Sequence, residues 1–473
     1  MSQTITIDPV TRLEGHGKIT IHLNAQNEVE DAQFHVTQVR GFERFAQGRP
    51  YYEMPSLMAR ICGICPVSHL IASAKACEAI MSVRIPHTAA QLRRMLNLAQ
   101  MVQSHALSFF YLSSPDLALG MESDPATRNI FGVVAAKPEL GRAGVGLRRF
   151  GQHIIELLGD KRIHPGWVVP GGVTEPLAAA KRDEILAMLP EAYANVGLAL
   201  AWYKQIADGF KPEIAVFANF PSLYMSLINE DESLEFTDGT LRLIDAEGQT
   251  IEEGITASRY TEVIGEAVEP YSYTKFAYYK PLGYPQGSYR VGPLARLNIV
   301  KSAGTPQAEK ELAAFKQLAA GPVSSSFHYH HARLIEALYG IEKIEQILAD
   351  PAILDKHVRA SAGVNRLEGA GQAEAPRGTL NHHYKVDENG KITWANLVIA
   401  TGQNNNAMNK GVLQAAKAYV KNGKFTEGIL NRVEAVVRTF DPCLSCSTHA
   451  YGQMPLILSL VSAEGEVVDQ VVR

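Results

Sequence analysis

Three short runs near the start of the chain alternate between apolar and polar residues: 4–7, 18–23 and 29–36. Successive side chains of a β-strand point to opposite faces of a sheet, so this alternation is typical of strands that bury one face. The pattern therefore predicts a small antiparallel sheet at the N-terminal end of the chain.

Further along, the apolar positions fall mostly at helical spacing. Residues 87–112 form a long apolar stretch without Gly or Pro, which predicts a buried core helix. Residues 177–206 predict a second long helix. We expect a kink at Pro190, because proline removes a backbone donor and clashes with the preceding turn.

Two hairpins are predicted within the helical part: 240–252, which turns at Glu-Gly, and 384–399, which turns at Asn-Gly. The stretch 271–293 is rich in Tyr, Gly and Pro, and we interpret it as irregular surface or interface. We find no internal repeat and no linker in the sequence. We therefore expect an α+β fold, mainly helical, as one domain over residues 1–449 with a C-terminal extension, 450–473.

The composition of the 473-residue chain is that of a soluble globular protein, with 46% hydrophobic and 20% charged residues. The formal net charge of -4 gives no basic excess for binding nucleic acid or an anionic membrane surface. No run approaches 18 uncharged apolar residues, so we expect no membrane span. The N-terminus lacks a basic region followed by an apolar run, which favours a cytoplasmic location.

Cysteine is the residue type that changes this picture. Five cysteines are too few for a disulfide scaffold, and four of them form two C-x-x-C pairs near opposite ends of the chain. Four thiolates select zinc, Cu(I), an Fe–S cluster or thiolate-bound Ni and Fe. Structural zinc sites usually join pairs about 12 to 20 residues apart, so this spacing favours a catalytic metal. Zinc, an Fe–S cluster and a redox pair remain as alternatives. The five are Cys62, Cys65, Cys77, Cys443 and Cys446.

The segments around both pairs resemble the signatures of nickel–iron hydrogenase large subunits, RxCGxCxxxH and DPCxxCxxH. Further segments match that family in the same order along nearly the whole chain. The related quinone-reductase subunit of respiratory complex I lacks the metal-binding cysteines, which this chain keeps. The matching segments are 8–16, 40–43, 60–69, 104–116, 375–378 and 441–449.

This resemblance implies a Ni ion bound by four thiolates. Cys62 and Cys443 would be terminal ligands, and Cys65 and Cys446 would bridge to an Fe that carries CO and cyanide. Heterolytic splitting of H2 needs a base next to an open metal site, and Cys443 is the expected base. Glu14 is the expected proton relay.

Arg377 would lie over the open face of the metals, where a guanidinium stays charged at any working pH. The resemblance implies that Asp116 and Asp441 fix Arg377, and that His69 donates a hydrogen bond to a thiolate. The paired histidines at 330–331 and 382–383 have no matching acids or cysteines, and we interpret them as packing or surface features.

A second, distal metal, usually Mg in this family, is also implied. Its ligands would be Glu43, His449 and the backbone carbonyl of Leu397. The position of Leu397 rests on counting back from Cys443.

The leftover Cys77 bears on partners, because one cysteine cannot hold an Fe–S cluster. Electrons from H2 must therefore leave through another polypeptide, an Fe–S small subunit. No G-x-G-x-x-G follows a predicted strand, so a nicotinamide site on this chain is not expected. Residues 61–69 and 400–405 are closest in style to the cytoplasmic, bidirectional, NAD(P)-linked branch, which implies diaphorase subunits with flavin and Fe–S centres.

Two alternatives remain open. Within the family, the enzyme could pass electrons to a heterodisulfide reductase or a deazaflavin. From another class, the chain could be a non-catalytic, metal-stabilised scaffold.

The residues beyond His449 carry the last expectation. In this family a dedicated endopeptidase cuts after that histidine, once chaperones have inserted Ni. We expect residues 450–473 to be removed in this way, and an attached tail to hold the C-terminal segment away from the metal site.

Overall fold

The computed structural model describes residues 3–450 and 457–472. Helices make up most of its ordered elements. They are α1 (Phe42–Phe45), α2 (Met54–Ala59), α3 (Pro66–Met81), α4 (His87–Ala106), α5 (Ser114–Leu119), α6 (Ile130–Ala136), α7 (Pro138–Gly159), α8 (Ala179–Ala207), α9 (Lys211–Val216), α10 (Tyr260–Val263), α11 (Pro293–Ile299), α12 (Pro306–Lys316), α13 (Tyr329–Ala349), α14 (Ala400–Gln403), α15 (Asn405–Tyr419), α16 (Glu427–Phe440) and α17 (Leu444–Ser447).

The strands form small sheets around these helices. The larger sheets have the orders β1-β2-β3, β11-β6-β7-β8 and β12-β13-β14. The strands are β1 (Gln3–Ile7), β2 (Gly17–Leu23), β3 (Val29–Val36), β4 (Val168–Val169), β5 (Gly172–Val173), β6 (Leu223–Ile228), β7 (Thr240–Ile244), β8 (Thr250–Ile255), β9 (Ile264–Val268), β10 (Lys275–Tyr279), β11 (Tyr289–Arg290), β12 (Glu368–Ala375), β13 (Gly378–Val386), β14 (Ile392–Val398), β15 (Ile457–Val461) and β16 (Val467–Val472).

The short-range predictions agree with these elements. The N-terminal sheet is antiparallel, and buried residues alternate along β2 as the sequence pattern requires. Both hairpins form, as β7–β8 and β13–β14. The interpretation of 271–293 as irregular is wrong in part, because it contains β10, which pairs with β9 and buries Phe276. Aromatic residues favour strands, and here that preference outweighs the nearby Gly and Pro.

Four long helices build the core. Helix α4 packs against α7 and α13, and α8 packs against the same two. Helix α4 begins at His87 as expected, but it changes to π-helical turns over Leu107–Ser113. Such turns are frequent at functional sites. The second predicted long helix, 177–206, is α8, and Pro190 lies inside it; the kink expected there stays a prediction.

Helix α8 is also the apolar stretch that bears on the membrane question. Within the described residues, the stretch Ala179–Val216 is long and apolar enough to cross a bilayer, and 33% of its most apolar window is buried. Length and composition alone are weak evidence, since core helices of soluble proteins pass the same test. Here α8 packs on two other helices.

The two ends of the chain meet in one hydrophobic core, which runs from Ile5 to Cys446. Helix α3, which follows the first cysteine pair, packs on β12 and β13. The hairpin β12–β13 brings Arg377 to its turn, because Ala375 pairs with Gly378. The architecture is α+β, as the sequence predicts.

Candidate metal centre

The structure brings the four paired cysteines together. Their Sγ atoms all lie within 4.8 Å of one another, and the residues are 1–4% exposed. The Sγ–Sγ distance is 3.2 Å from Cys62 to Cys443, 3.6 Å from Cys65 to Cys446 and 3.0 Å from Cys443 to Cys446. All four are free thiols. Four convergent buried sulfur donors fit a metal that prefers soft ligands.

Local backbone structure aims the first cysteine pair at the centre. Cys65 is the residue before the first turn of α3, and Pro66 begins that helix. The backbone N–H groups of Ile64 and Cys65 donate to Cys62 Sγ at 3.2 and 3.3 Å. Such donors stabilise a thiolate, the form that binds metal.

The charge states of the thiols are coupled. Hydrogen bonds from Cys443 and the other thiols hold the pKa of Cys65 well below its usual range. Burial raises the pKa of Cys443 and of Cys446 well above theirs. Four thiolates without a cation would repel one another in this dry site, so the donor set needs a positive ion to ionise fully.

Glu14 joins the N-terminal segment to the second cysteine pair. Its Oε2 accepts hydrogen bonds from Cys443 Sγ and from the backbone N–H of Ser445, both at 3.0 Å. Gly15 permits this approach: its φ is +90°, and a Cβ there would lie 2.6 Å from Leu444 Cβ. A carboxylate is thus in direct contact with a candidate metal ligand.

Arg377 is fully buried beside the sulfurs. Its Nε donates to the backbone oxygen of Asp441 at 2.6 Å, and its Nη2 lies 3.0 Å from Asp441 Oδ2. Its Nη1 donates to Ser104 Oγ at 3.3 Å. Burial lowers the pKa of Arg377, but Asp441 and the thiolates raise it well above its ordinary value. The guanidinium is therefore a fixed positive charge beside the thiolates.

Asp116 does not take the place expected for it. Its carboxylate accepts from Arg12 Nη2 at 2.6 Å and from Arg438 Nη1 at 2.5 Å, rather than from Arg377. The side chain that meets Arg377 from this region is Ser104, on α4. The expectation that Asp116 fixes Arg377 is therefore corrected: Asp116 ties helix α5 to the N-terminal segment and α16.

His69 lies among buried polar side chains behind Cys65. A hydrogen bond from His69 contributes to the lowered pKa of Cys65, although the neighbouring thiols contribute more. His69 Nδ1 lies 3.1 Å from His382 Nε2, and His382 Nδ1 lies 2.6 Å from Tyr384 Oη. The paired histidines were interpreted as packing or surface features. His382 is fully buried and the other three are buried too, so the structure supports packing.

The residues expected around the distal metal also come together. His449 Nδ1 lies 3.0 Å from Glu43 Oε1, and the backbone N–H of Leu397 donates to the same oxygen at 2.8 Å. Lys275 Nζ, also buried, lies 3.3 Å from that oxygen. Burial by itself would raise the pKa of Glu43. The nearby His449 and Lys275 outweigh this effect and lower the pKa to about 2.

This donor set fits magnesium only in part. Mg²⁺ prefers six oxygen ligands, and the contact from Leu397 to Glu43 is made through its N–H. The Lys275 ammonium already places a positive charge at the carboxylate, and it also contacts Glu266 Oε2 at 3.2 Å and Asn396 Oδ1 at 2.9 Å.

Four residues at these sites were not predicted from the sequence. Two of them, Ser104 and Thr401, lie in segments that carry the resemblance. Thr401 Oγ1 accepts from the Cys443 backbone N–H at 2.9 Å, and His164 Nε2 lies 3.0 Å from the Cys62 backbone oxygen. The four are Ser104, His164, Lys275 and Thr401.

The C-terminal segment is in place with the tail attached. His449 and Ala450 are each 2% exposed. The backbone N–H groups of Arg40 and Gly41 donate to the oxygen of Thr448 at 2.9 and 3.0 Å. These contacts keep the segment up to His449 buried although residues 450–473 follow it. The expectation that an attached tail holds this segment away from the metal site is therefore wrong. Residues 451–456 and 473 of the tail lie outside the described residues.

The fold and the four-cysteine centre define a class of metalloenzyme, and comparison with known proteins agrees. A family model described as "Nickel-dependent hydrogenase" matches residues 40–124 and 146–449, and one described as "HoxL-like" matches 4–39. The chain belongs to the nickel-dependent hydrogenase family, and within it to the large subunits of nickel–iron hydrogenases.

Two individual relatives are similar to the chain over almost their whole length. The chain is 42% identical to the beta subunit of the NAD-reducing hydrogenase HoxS of Cupriavidus necator, over 100% of both chains. It is 40% identical to a subunit of the F420-non-reducing hydrogenase vhc of Methanococcus voltae, over 98% of each.

Solved structures agree with this likeness. A NAD+-reducing [NiFe]-hydrogenase in the H2-reduced state matches with a TM-score of 0.92 and 44% identity, over 94% of this chain and 99% of that one. The Ni-Fe-Se hydrogenase of D. vulgaris Hildenborough matches with a TM-score of 0.75 and 25% identity, over 95% and 100%. The predicted family, α+β fold class and enzyme class are confirmed.

Proposed function

We propose that this chain is the catalytic subunit of an NAD(P)-linked hydrogenase complex, and that its four cysteines and Glu14 carry the reversible reaction of H2 with protons and electrons. The contact between Cys443 Sγ and Glu14 Oε2, at 3.0 Å, is the observation that supports this assignment most directly. It puts a proton acceptor against a candidate metal ligand in a buried site.

In this proposal the four thiolates hold the metals. Cys62 and Cys443 would hold Ni alone, whereas Cys65 and Cys446 would hold both Ni and an Fe that carries CO and cyanide. When bound, this centre would supply the open, electron-rich metal at which H2 is polarised and split. The donor set fits it, since all four sulfurs converge within 4.8 Å.

The proton leaves through the chain's own residues. Cys443 Sγ takes the proton, and Glu14 Oε2 accepts it across the 3.0 Å contact. The backbone N–H of Ser445 donates to the same oxygen and orients the carboxylate. The step needs the sulfur and the oxygen to be within hydrogen-bond reach, as they are here.

Arg377 acts as a fixed charge. Its guanidinium is oriented by Asp441 at two atoms and by Ser104 at a third. A buried positive charge beside the thiolates favours their ionised form and would orient a polarised H2 molecule or a cyanide. His69 supports Cys65 through a further hydrogen bond.

The distal cluster is proposed to hold Mg through Glu43, His449 and Leu397, although its donors fit this ion only in part. Glu43 Oε1 is already engaged by His449 and Leu397. A metal would therefore use the remaining oxygen of Glu43, the other ring nitrogen of His449 and the backbone carbonyl of Leu397, with water completing the coordination.

The electrons leave through a partner. Cys77 is the fifth cysteine, and its Sγ donates to the Tyr51 backbone oxygen instead of joining the cluster. The proposed partners are an Fe–S small subunit with flavin-containing diaphorase subunits, and NAD(P) is the proposed acceptor in the cytoplasm. The 42% identity to a subunit of an NAD-reducing hydrogenase supports this branch.

The second candidate acceptor, a heterodisulfide reductase or a deazaflavin, has less support. The 40% identity is to a subunit of a hydrogenase whose name says that it does not reduce F420, and the 42% identity is to a subunit of an NAD-reducing enzyme. The partners that copurify decide between the two. Flavin-containing subunits with H2-dependent NAD(P) reduction support the first.

Metal analysis of the purified complex tests the site. We expect about one Ni and one Fe per large subunit, with both lost in the Cys62→Ser variant. The Cys77→Ser variant is the matched control, since Cys77 is equally buried but lies outside the cluster, and it should keep both metals. Zinc in place of Ni and Fe in active preparations would contradict the proposal.

A further inference from the structure

A completely buried charge cluster lies behind the turn that carries Arg377. At its centre is Arg296, on α11, which is 0% exposed. We propose that Arg296 is a positioning residue that fixes the turn 375–377 and thereby sets where the Arg377 guanidinium lies beside the sulfurs. This inference rests on the role proposed above for Arg377.

Two carboxylates hold Arg296 in one orientation. Its Nε and Nη2 donate to the two oxygens of Glu336 at 2.6 and 2.7 Å, and its Nη1 donates to Glu374 Oε2 at 2.5 Å. Glu336 lies on α13 and Glu374 on β12, and both are 0% exposed. Bidentate pairing of a planar guanidinium fixes its plane as well as its position.

The same guanidinium reaches the backbone that leads to Arg377. Nη1 donates to the Ala375 oxygen at 3.1 Å, and Nη2 donates to the Pro376 oxygen at 3.3 Å. These are the two residues immediately before Arg377, in the turn between β12 and β13. A single rigid side chain thus connects a core helix to consecutive carbonyls of the turn.

The other side of the turn is also held. Gly292 has a φ of +92°, and a Cβ there would lie 2.7 Å from the Arg377 backbone oxygen. Gly292 is the N-cap residue of α11, and its oxygen accepts from the Arg296 backbone N–H at 2.9 Å. Helix α11 and its N-cap residue therefore lie against the carbonyls of 375, 376 and 377, while the Arg377 side chain extends to Asp441 and Ser104.

This geometry has a consequence for the reaction. A lysine at 296 keeps the charge, but its single ammonium cannot pair with two carboxylates and two carbonyls in one plane. The turn would then shift, and a misplacement of about 1 Å at a reacting group can cost about 100-fold in rate.

The test is a double-mutant cycle on the purified complex, with H2 oxidation expressed per bound Ni. We expect R296K to retain Ni and to lose about tenfold or more in turnover. In the R377K background the same change should cost less than about threefold, because residues that act through each other are not additive. A crystal structure of R296K should show the Arg377–Asp441 contact lengthened.

Arg93 provides the matched control. It is 1% exposed, pairs with both oxygens of Glu78 and donates to the Gly172 oxygen at 2.7 Å. We expect R93K to keep near-parent turnover per bound Ni. A loss in R93K as large as that in R296K would overturn the proposal, because it would show a general effect of a buried arginine.

Two further outcomes separate the hypotheses. Equal fold-losses from R296K in both backgrounds, with Arg377 unmoved in the crystal structure, would refute positioning by Arg296. If the R377K single variant has the same turnover as the parent, the role proposed for Arg377 is refuted. Displacement of Arg377 in the crystal structure of R296K would still support its positioning by Arg296. If the R296K protein does not accumulate, Glu374→Gln replaces it in the same double-mutant cycle, because this change weakens one of the two carboxylate contacts of Arg296.

Discussion

Replacing Glu14 with glutamine removes one proton acceptor and changes little else. Glutamine has the same shape, and its amide oxygen can still accept the N–H of Ser445, now at 3.0 Å from Glu14 Oε2. The same amide oxygen faces Cys443 Sγ, and a neutral amide cannot take up a proton from the thiol at neutral pH. Glu14→Gln therefore separates the proton-relay role from the structural role of this contact.

The expected magnitude follows from these contacts. Loss of a positioned proton acceptor costs typically about 100- to 10,000-fold in rate, which is roughly 3 to 5 kcal/mol in the activation barrier. The hydrogen bond from Ser445 changes only from a charge-assisted to a neutral one, a loss on the order of 1 kcal/mol. Turnover should therefore fall to about 1% or less while Ni content stays near that of the parent.

The assay measures H2-dependent dye reduction and H/D exchange on the complex, both per bound Ni. Glu14→Asp keeps the carboxylate with a shorter reach, and we expect an intermediate rate. Ser445→Ala is the matched control, because Ser445 contributes its backbone N–H to Glu14 and the variant retains that group. Parent-level turnover and exchange in Glu14→Gln would show that the residue is structural.

Three other predictions concern a cysteine of the cluster, the ion pairs of Asp116 and the C-terminal tail. Cys443→Ala should abolish H2 uptake and H/D exchange alike, since it removes a proposed Ni ligand and the proposed base; retained exchange would contradict the ligand assignment. Asp116→Asn should destabilise the chain by roughly 3 to 5 kcal/mol at neutral pH, because it removes the carboxylate that pairs with Arg12 and one of the two that pair with Arg438. Burial raises the pKa of Asp116, but Arg438 and Arg12 bring it below its ordinary value, so this stability is present above about pH 4 and is lost as the pH falls through the folded pKa. Chemical denaturation from pH 7 downwards should thus show the difference between parent and variant narrowing below about pH 4; a constant difference would contradict the ion-pair explanation. Mass spectrometry of active complex should find a large subunit that ends at His449, and a full-length chain with bound Ni and full activity would disprove processing.

Local patterns were sufficient for local structure. Alternation predicted the N-terminal sheet, and the Asn-Gly dipeptide predicted the β13–β14 turn, because both depend on neighbouring residues alone. The expectation for 271–293 failed where a strand is selected by pairing with another strand, β9. That error also concealed Lys275, which lies on β10 and reaches Glu43.

The sequence predicted those parts of the site that depend on residue type and spacing alone. Thiolates in paired spacing predicted the cysteine cluster, but the partner of Arg377 depends on which side of a helix faces the site. Asp116 was assigned to Arg377 from the resemblance, whereas in the structure Asp116 pairs with Arg12 and Arg438. Ser104, on α4, contacts Arg377 instead. Arg296 gave no signal, since a single arginine within an apolar helix carries no motif.

The pairing of Cys62 with Cys443 closes a loop of 381 residues. Chain closure of this length costs on the order of 5 kcal/mol in entropy, from the logarithmic dependence on loop length. Translation runs at about 5–20 residues per second, so the first cysteine pair is synthesised well before the second. For most of that time, the growing chain on the ribosome contains only half of the thiolates. Metal capture is thus a late event in biosynthesis. A chelator that strips the centre from the finished protein removes the metal closure, whereas the hydrophobic core and the contacts of Arg40 and Gly41 with Thr448 still join the two ends of the chain.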